Sequence, residues 1–483
     1  YVVAGGSTSN DGDVTGNHGS TDYWVVKLDS TGNIQWQQSA NGSTGWANVT
    51  GGSGATSSSY TTAALTSTTY YKAVVTSGVC NTVQSDEVVV KVDAATVAGT
   101  ITSTSVEICN RSTPPTITLS GNVGSNITWQ YSTDGSTYTN TVPSQTGTSI
   151  SSVLNNLAPG SAQVTTYYKA IVQSGVCTNA ASNSISITVD PTSQVASILP
   201  AQKLQQWCIN SPATAVTLPS NVGDIIWQTA ANITGPYNTI AGQTGITLPS
   251  GSIPTSTAGI LYYRAVVTSG VCPSINSDIV KVTTDPASVA GALSYLVGSS
   301  PICNAGDKPT ITVTGNTGNN IVWQMSTTSS TSSVLAGAAS LTYANTTQTG
   351  PQLNSAIDNT APVLNSSFKY YRAVVTSGVC PSVLTNPIEL EVIPTPLITS
   401  ITPAERCGPG SVDLVAQTNL GIVNWFENLS GGVALGSGNT FTTPNLNTST
   451  NFYAAGLFRG CASLNRSAVL AKIKVIPSIT GVT

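Results

Sequence analysis

Tyr70-Tyr-Lys-Ala-Val-Val-Thr-Ser-Gly-Val-Cys80 returns three times almost unchanged. The other copies are Tyr167-Tyr-Lys-Ala-Ile-Val-Gln-Ser-Gly-Val-Cys177, Tyr262-Tyr-Arg-Ala-Val-Val-Thr-Ser-Gly-Val-Cys272 and Tyr370-Tyr-Arg-Ala-Val-Val-Thr-Ser-Gly-Val-Cys380. A degenerate fifth copy runs Phe452-Tyr-Ala-Ala-Gly-Leu-Phe-Arg-Gly-Cys461. Successive cysteines of the series lie 97, 95, 108 and 81 residues apart. A fixed period of this size means a tandem array of small domains. Within each copy the alternation has period two, so the second Tyr, the Ala and the next-but-one Val share one buried face. Lys72, Lys169, Arg264 and Arg372 fall on the other face, toward solvent.

Upstream of each later copy stands a second motif, in which a strand and an Asn-containing turn lead to a strand bearing Trp. Examples are Ile117-Thr-Leu-Ser-Gly-Asn122 before Trp129, Val216-Thr-Leu-Pro-Ser-Asn221 before Trp227, and Ile311-Thr-Val-Thr-Gly-Asn316 before Trp323. Trp425 follows Val412-Asp-Leu414, and Trp36 holds the corresponding place in the first repeat. One large aromatic near the middle of a central strand is the usual core plug of a β-sandwich. Thr, Ser, Gly, Asn and Val dominate the chain. They favour strands and turns, and no long segment has helical apolar spacing. The fold class read from the sequence is all-β: tandem immunoglobulin-like sandwiches joined by short Pro-bearing linkers into an elongated rod.

Charged residues make up 7% of 483, and the net charge is −4. No basic patch can neutralise phosphates, which argues against nucleic-acid binding. No run of about 18 apolar residues occurs, so no membrane insertion is expected. The 20 acidic residues are scattered and His18 is the only histidine. No paired carboxylates, Ser/His/Asp set or phosphate loop can be assembled, so no catalytic residue, no cofactor and no enzymatic activity are expected. Asn10, Asp11 and Asp13 could offer oxygens to calcium, but a polar hairpin turn is the favoured reading of them.

Nine cysteines remain. Each later repeat carries one near its start and one after the Tyr-Tyr strand. In-register pairing predicts Cys109 with Cys177, Cys208 with Cys272, Cys303 with Cys380 and Cys407 with Cys461. Cys80 would then be unpaired or bonded to another chain, because Gly16, Asn17 and His18 stand where its partner would fall. Thiol labelling would accordingly mark Cys80 alone, or nothing if it joins chains. Such bridges imply an oxidising, extracellular or cell-surface location.

The last repeat resembles a known family of immunoglobulin-like domains. The residues that carry the likeness are Cys407-Gly-Pro-Gly-Ser-Val-Asp-Leu-Val-Ala416, Trp425-Phe-Glu-Asn-Leu-Ser-Gly-Gly432, Leu435-Gly-Ser-Gly438, Phe441-Thr-Thr-Pro444, Tyr453 and Gly460-Cys461. The family is common in very large surface proteins exported by the type IX secretion system, and the middle repeats look like its relatives. Residues 1–37 resemble instead one blade of a propeller-type repeat found in the same exported proteins. Together these resemblances imply export and display without fixing one activity.

The domain boundaries read from the repeat are 1–93 (with the blade-like segment at 1–37), 94–190, 191–285, 286–394 with a longer middle loop, and 395–477. Residues 478–483 then read as a linker to a further repeat, since Val475-Ile-Pro477 echoes Val392-Ile-Pro394. The function expected is a structural segment of a bacterial surface fibre or filament that self-associates along its strand edges. The alternatives are an adhesin that binds a glycan or surface through variable loops, with Ser326–Gln352 the best locus, and a passive stalk of a secreted enzyme.

Overall fold

Alternating Thr, Val, Ile and Tyr residues place one face of each strand in a core and leave the other to solvent. In Val164–Gln173, Thr166, Tyr168, Ala170 and Val172 are buried while Thr165, Tyr167, Lys169 and Ile171 are not. The structure, a computed structural model, describes residues 2–3, 6–7, 22–23, 26–27, 32–78, 81–141, 143–327 and 332–478.

The second repeat shows the plan. A three-stranded antiparallel sheet orders Thr100–Ser103, Ile117–Ser120 and Ser149–Ile150. A larger sheet orders Glu107–Cys109, Ile185–Asp190, Val164–Gln173, Asn126–Ser132 and Thr139–Asn140, with Ala180–Ala181 beside Val164–Gln173. Glu107–Cys109 runs parallel to Ile185–Asp190, and the other pairings are antiparallel. The large-sheet order recurs in the third, fourth and fifth repeats, each time with a short Cys-bearing strand parallel to the closing strand. These are tandem immunoglobulin-like sandwiches.

Between the sheets of the second repeat lies a core of Ile101, Ile117, Leu119, Trp129, Tyr168, Ala170, Val172, Ile187 and Val189, among others. Trp129, Trp227, Trp323 and Trp425 are fully buried and Trp36 is 3% exposed. A buried indole must place its N–H. Each Nε1 donates to a backbone carbonyl: Gly147, Gly245, Gly350 and Gly438 for the four later ones, and Ser57 for Trp36.

In the first repeat Asn33–Ser39 and Thr69–Thr76 pair as the central strands. Its opening segment forms one antiparallel register, with Val2 opposite Lys27 and Ser7 opposite Asp22. The backbone of Gly6–Ser7 lies against that of Val88–Val90. Among the described residues the hydrophobic cluster of this repeat is built on Ile34, Trp36, Val49, Tyr60, Tyr71 and Ala73.

By backbone proximity the chain forms two units. One contains 1–195 with 221–224 and 267–275; the other contains 196–220, 225–266 and 276–483. The division therefore runs through the third repeat and not along its boundaries.

The outer-face cations are not simply solvated. Lys72 is 9% exposed. Its ammonium lies over Trp46, Lys169 over Tyr138, Arg264 over Tyr237, Arg372 over Tyr343 and Arg466 over Phe426, each about 4 Å or less from the ring centre. Their aliphatic stems and the rings cover the sheet together.

Replacing Trp323 by Ala should destabilise the fourth repeat by about 3–5 kcal/mol, through lost contacts and a cavity. Amide hydrogen exchange of Ser367–Thr376 in the whole chain should accelerate. Unchanged protection there would show that the indole does not hold this core.

Candidate functional site at the junctions between repeats

The most elaborate chemistry in the chain lies where one sandwich meets the next. Ser174-Gly175-Val176-Cys177, Ser269-Gly270-Val271-Cys272 and Ser377-Gly378-Val379-Cys380 are tight turns, each closed by a bond from the Cys N–H to the Ser carbonyl. The glycines have φ of +49°, +49° and +50° and the following valines do not have positive φ, the pattern of a type II′ turn. Each turn docks on the preceding repeat.

Asp190 ends the second repeat, and its Oδ2 accepts the Val271 N–H at 2.8 Å. Ser193 Oγ accepts the Ser269 N–H at 2.9 Å. At the next junction Asp285 accepts from Val379 at 2.9 Å and Ser288 from Ser377 at 2.9 Å. At the first, Asp93 accepts from Val176 at 3.1 Å and Thr96 from Ser174 at 3.1 Å. An Asp-x-x-Ser/Thr segment thus reads two N–H groups of an incoming turn. The carboxylate sits so close that a Cβ on Gly270 would fall 1.9 Å from Asp190 Oδ2. Glycine is required there both for space and for its positive φ.

Covalent bonds complete these contacts. Cys109 bonds Cys272, Cys208 bonds Cys380 and Cys303 bonds Cys461. Pairing within repeats is therefore corrected: Cys109 does not reach Cys177, Cys303 does not reach Cys380, and Cys208–Cys272 and Cys407–Cys461 are not formed. The reason is geometric. Cys109 is opposite Asp190 at one end of the second sandwich, and the Cys177 sulfur lies 4.0 Å from the Asp93 carbonyl at the other. The ten residues of Val164–Gln173 span the distance between these ends, about 33 Å at strand rise. In each of the second to fifth repeats one cysteine faces forward and the other faces back. Among the described residues Cys177 and Cys407 are free thiols, also against the expectation that both are bridged. Cys80, and Asn10, Asp11 and Asp13, lie outside the described residues.

The fourth junction is built differently. Ile393 stands opposite Cys303 where Asp190 and Asp285 stand opposite Cys109 and Cys208. Arg459, with φ of +47°, takes the place of the turn glycine. Its guanidinium grips Glu391 through two bonds, of 2.5 and 3.1 Å, and also reaches Ser366. A carboxylate-to-backbone contact has become a bidentate ion pair.

Two further places belong with possible binding. A cleft of about 300 Å³ in the second repeat is lined by Tyr131, Thr141, Asn155, Thr166 and Tyr168, among others. The Thr141 hydroxyl there is buried and has no hydrogen-bond partner among the described residues. In the fourth repeat the inserted segment carries Tyr343–Thr349, a strand paired with Asn320–Ser326, and the N–H of Val334 donates to the Tyr370 hydroxyl. Tyr370 is consequently fully buried, unlike Tyr70, Tyr167 and Tyr262. Among the described residues no cluster of His, Cys, Asp or Glu could hold a metal, and no helix is long and apolar enough to cross a membrane.

Sandwiches in series, locked end to end, define a tandem immunoglobulin-like repeat protein. Residues 4–94, 97–191, 200–286 and 292–394 each match the family described as Domain of unknown function (DUF8696), and the chain belongs to that family. Residues 395–477 match the Ig-like domain described as CHU_C associated. The match at 4–94 runs through most of the blade-like opening segment. No curated protein matches. Solved structures similar to this chain include a Ca2+-stabilized adhesin of an Antarctic bacterium, at 13% identity over 79% of this chain and 100% of that one, with a TM-score of 0.25. A tetra-tandem repeat from the extending region of a large adhesion protein is 11% identical over 77% and 95%, with a TM-score of 0.31. The human desmocollin-1 ectodomain is 8% identical over 94% and 96%, with a TM-score of 0.23.

Two outcomes follow from the junctions. Alkylation of the denatured, unreduced chain should mark Cys177 and Cys407 and leave the six bridged cysteines unmarked; label at Cys109 or Cys272 would break the scheme. At the first junction, which has no bridge, the Val176 N–H and then Lys91 hold the Asp93 carboxyl below its usual 3.8. A carboxyl depressed in the folded state stabilises above its unfolded value and loses that contribution as pH falls through the folded one. Hydrogen exchange at Val176 should therefore be protected at pH 5 and speed up below pH 3.8, relative to Val271 at its bridged junction. Equal acid sensitivity at both would contradict this.

Proposed function

We propose that the chain is a tension-bearing structural segment of an extracellular bacterial surface fibre, with no enzymatic role. The observation that carries the reading is the overlap of the three bridges. The loops 109–272, 208–380 and 303–461 interlock, so every residue from Cys109 to Cys461 lies inside at least one closed loop. A pull on the two ends travels through the Cys109–Cys272 bond, along the chain to Cys303, and through the Cys303–Cys461 bond. Only the 31 residues from Cys272 to Cys303 separate the two bonds, although the bonds span 352 residues from Cys109 to Cys461. A sandwich can lose its hydrogen bonds under load without the segment lengthening much. Disulfides of this kind form and persist in oxidising surroundings, which supports a location outside the cytoplasm. Export by a type IX route rests on the resemblance of the last repeat and belongs to the same proposal.

Force–extension measurement tests it. Stretching the oxidised chain should part Cys109 and Cys461 by no more than about 110 Å, against about 1,200 Å once a reductant opens the bridges, at about 3.5 Å per residue. Equal lengthening with and without reductant would count against a tensile role. A compact particle in small-angle scattering would exclude an extended segment.

An adhesive role is the second reading. It draws on the cleft at Tyr131 and Tyr168, whose rings and unpartnered Thr141 hydroxyl suit a sugar. Binding on a glycan array that Thr141→Val abolishes would favour it over the structural reading.

A further inference from the structure

The cleft of the second repeat differs from the same place in the repeats beside it. The Thr141 N–H bonds the Trp129 carbonyl, and Val49, Ile240 and Leu435 make the same bond to Trp36, Trp227 and Trp425. Thr141 is thus the polar member of a set that is otherwise aliphatic. The Asn155 N–H donates to the Tyr168 hydroxyl at 2.8 Å, as the Asp358 N–H does to Tyr371 in the fourth repeat. In the third repeat Pro254 holds this place, because the Thr255 carbonyl accepts the Asn210 N–H as the Asn156 carbonyl accepts that of Arg111. Two positions before the inner tyrosine stand Thr166, Leu261 and Lys369 in the second, third and fourth repeats.

The third repeat therefore has Ile240, Pro254 and Leu261 where the second has Thr141, Asn155 and Thr166. The fourth sets Lys369 against Asp358 at 2.7 Å, and Met325 faces Tyr371 where Tyr131 faces Tyr168. One neighbour covers these positions with hydrocarbon and the other with an ion pair. The second repeat keeps polar side chains there around a space of about 300 Å³. A buried hydroxyl is costly without a partner. Thr141 is 2% exposed, and its Oγ1 has no partner among the described residues. The Tyr168 hydroxyl accepts the Asn155 N–H and retains its own proton to donate. Tyr131 is 36% exposed, so part of its ring stays open at the rim.

The described residues that line the cleft are all uncharged. A carboxylate or sulfate would shed its water there without meeting a counter-charge. At about 30 Å³ per water the space holds about ten waters, the scale of a single sugar ring. We infer that the cleft of the second repeat holds one neutral sugar ring, its hydroxyls bonded by Thr141 and Tyr168 and its C–H face laid on Tyr131, and that the third and fourth repeats lack this site. The inference rests on the adhesive reading of the cleft and narrows it to a neutral, single-ring ligand at one repeat. The Asn155 side chain is spent on its own turn, with Oδ1 accepting the Leu157 N–H and Nδ2 donating to the Leu157 carbonyl. Its part is to hold the Tyr168 hydroxyl in place through the backbone.

Saturation-transfer NMR on the full oxidised chain tests it. The probes are glucose, galactose, mannose and N-acetylglucosamine, with glucuronate and N-acetylneuraminate as charged counterparts. At least one neutral sugar should bind, and the charged ones should not. Thr141→Val exchanges a hydroxyl for a methyl of the same shape and should weaken binding about tenfold. Thr166→Leu, which copies the third repeat, should abolish it, and so should Asn155→Asp combined with Thr166→Lys, which copies the fourth. Unchanged amide exchange in Val164–Gln173 shows that a variant is folded, and Thr141→Val keeps the test decisive if the larger changes unfold the repeat. No binding of any neutral sugar, equal binding of the charged ones, or binding that survives Thr141→Val would overturn the inference and leave the cleft a hydrated packing gap. Glycan-array binding that Thr141→Val abolishes, without binding of any single neutral sugar, would remove this inference and leave adhesion standing. Binding of a single sugar without any array binding would do the reverse.

Discussion

Everything else in this molecule depends on how a Ser-Gly-Val-Cys turn seats on the end of the preceding sandwich. Two N–H groups that a turn leaves exposed are taken up by an aspartate and a hydroxyl three residues further on, and a sulfur–sulfur bond closes the contact at two of the three such junctions. Asp190 is fully buried and forms no ion pair among the described residues. Its charge is met by the Val271 N–H and by the Gln163 amide at 2.6 Å. Such a carboxylate would be costly if unpaired, and its neighbours answer it with oriented donors. The glycine at each turn is fixed by the same contact, because the carboxylate occupies the space a side chain would need.

Seen from the junction, the near-identity of the four Tyr-Tyr copies has two separate causes. The buried half, Tyr168, Ala170 and Val172 in the second repeat, serves its own sandwich core. The Ser-Gly-Val-Cys half serves the neighbouring repeat and contributes little to its own core; Val176, Val271 and Val379 are all exposed. The fifth copy separates the two. It keeps buried Phe452 and Ala454 for its core while replacing the turn by Phe458-Arg459-Gly460-Cys461. Its partner changed with it, from a buried aspartate at the strand end to Glu391 on the strand itself. Of the turn residues the cysteine alone was kept, and with it the bridge to Cys303.

Bridges between repeats differ in consequence from bridges within them. A bridge inside a sandwich protects that sandwich. A bridge from the front of one to the back of the next closes a loop of 158 to 172 residues and overlaps its neighbours. In the chain-entropy picture each such closure removes on the order of 5 kcal/mol of unfolded-state freedom. Overlap also removes slack: no repeat from the second to the fifth can be drawn out independently of the others.

The sequence by itself determined the fold class, the core tryptophans and the repeat. These are local matters of period-two alternation, one large aromatic per repeat, and turn residues at fixed spacing, and each is written in a few adjacent positions. It also placed the cysteines in two in-register series. What it left open was which series member meets which. In-register pairing within a repeat was the simplest reading, and it fails because a ten-residue strand holds the two cysteines of one repeat at opposite ends of a sandwich. Only the tertiary structure decided that Cys109 faces forward to Cys272 and that Cys177 faces back toward Asp93. The Asp-x-x-Ser/Thr spacing was legible at Asp190 and Asp285, but an aspartate at a strand end looks like a turn former until the next domain is docked on it. Contacts within a strand are fixed by alternation along the chain, whereas contacts between domains are fixed by the direction in which a strand end points, which only folding sets.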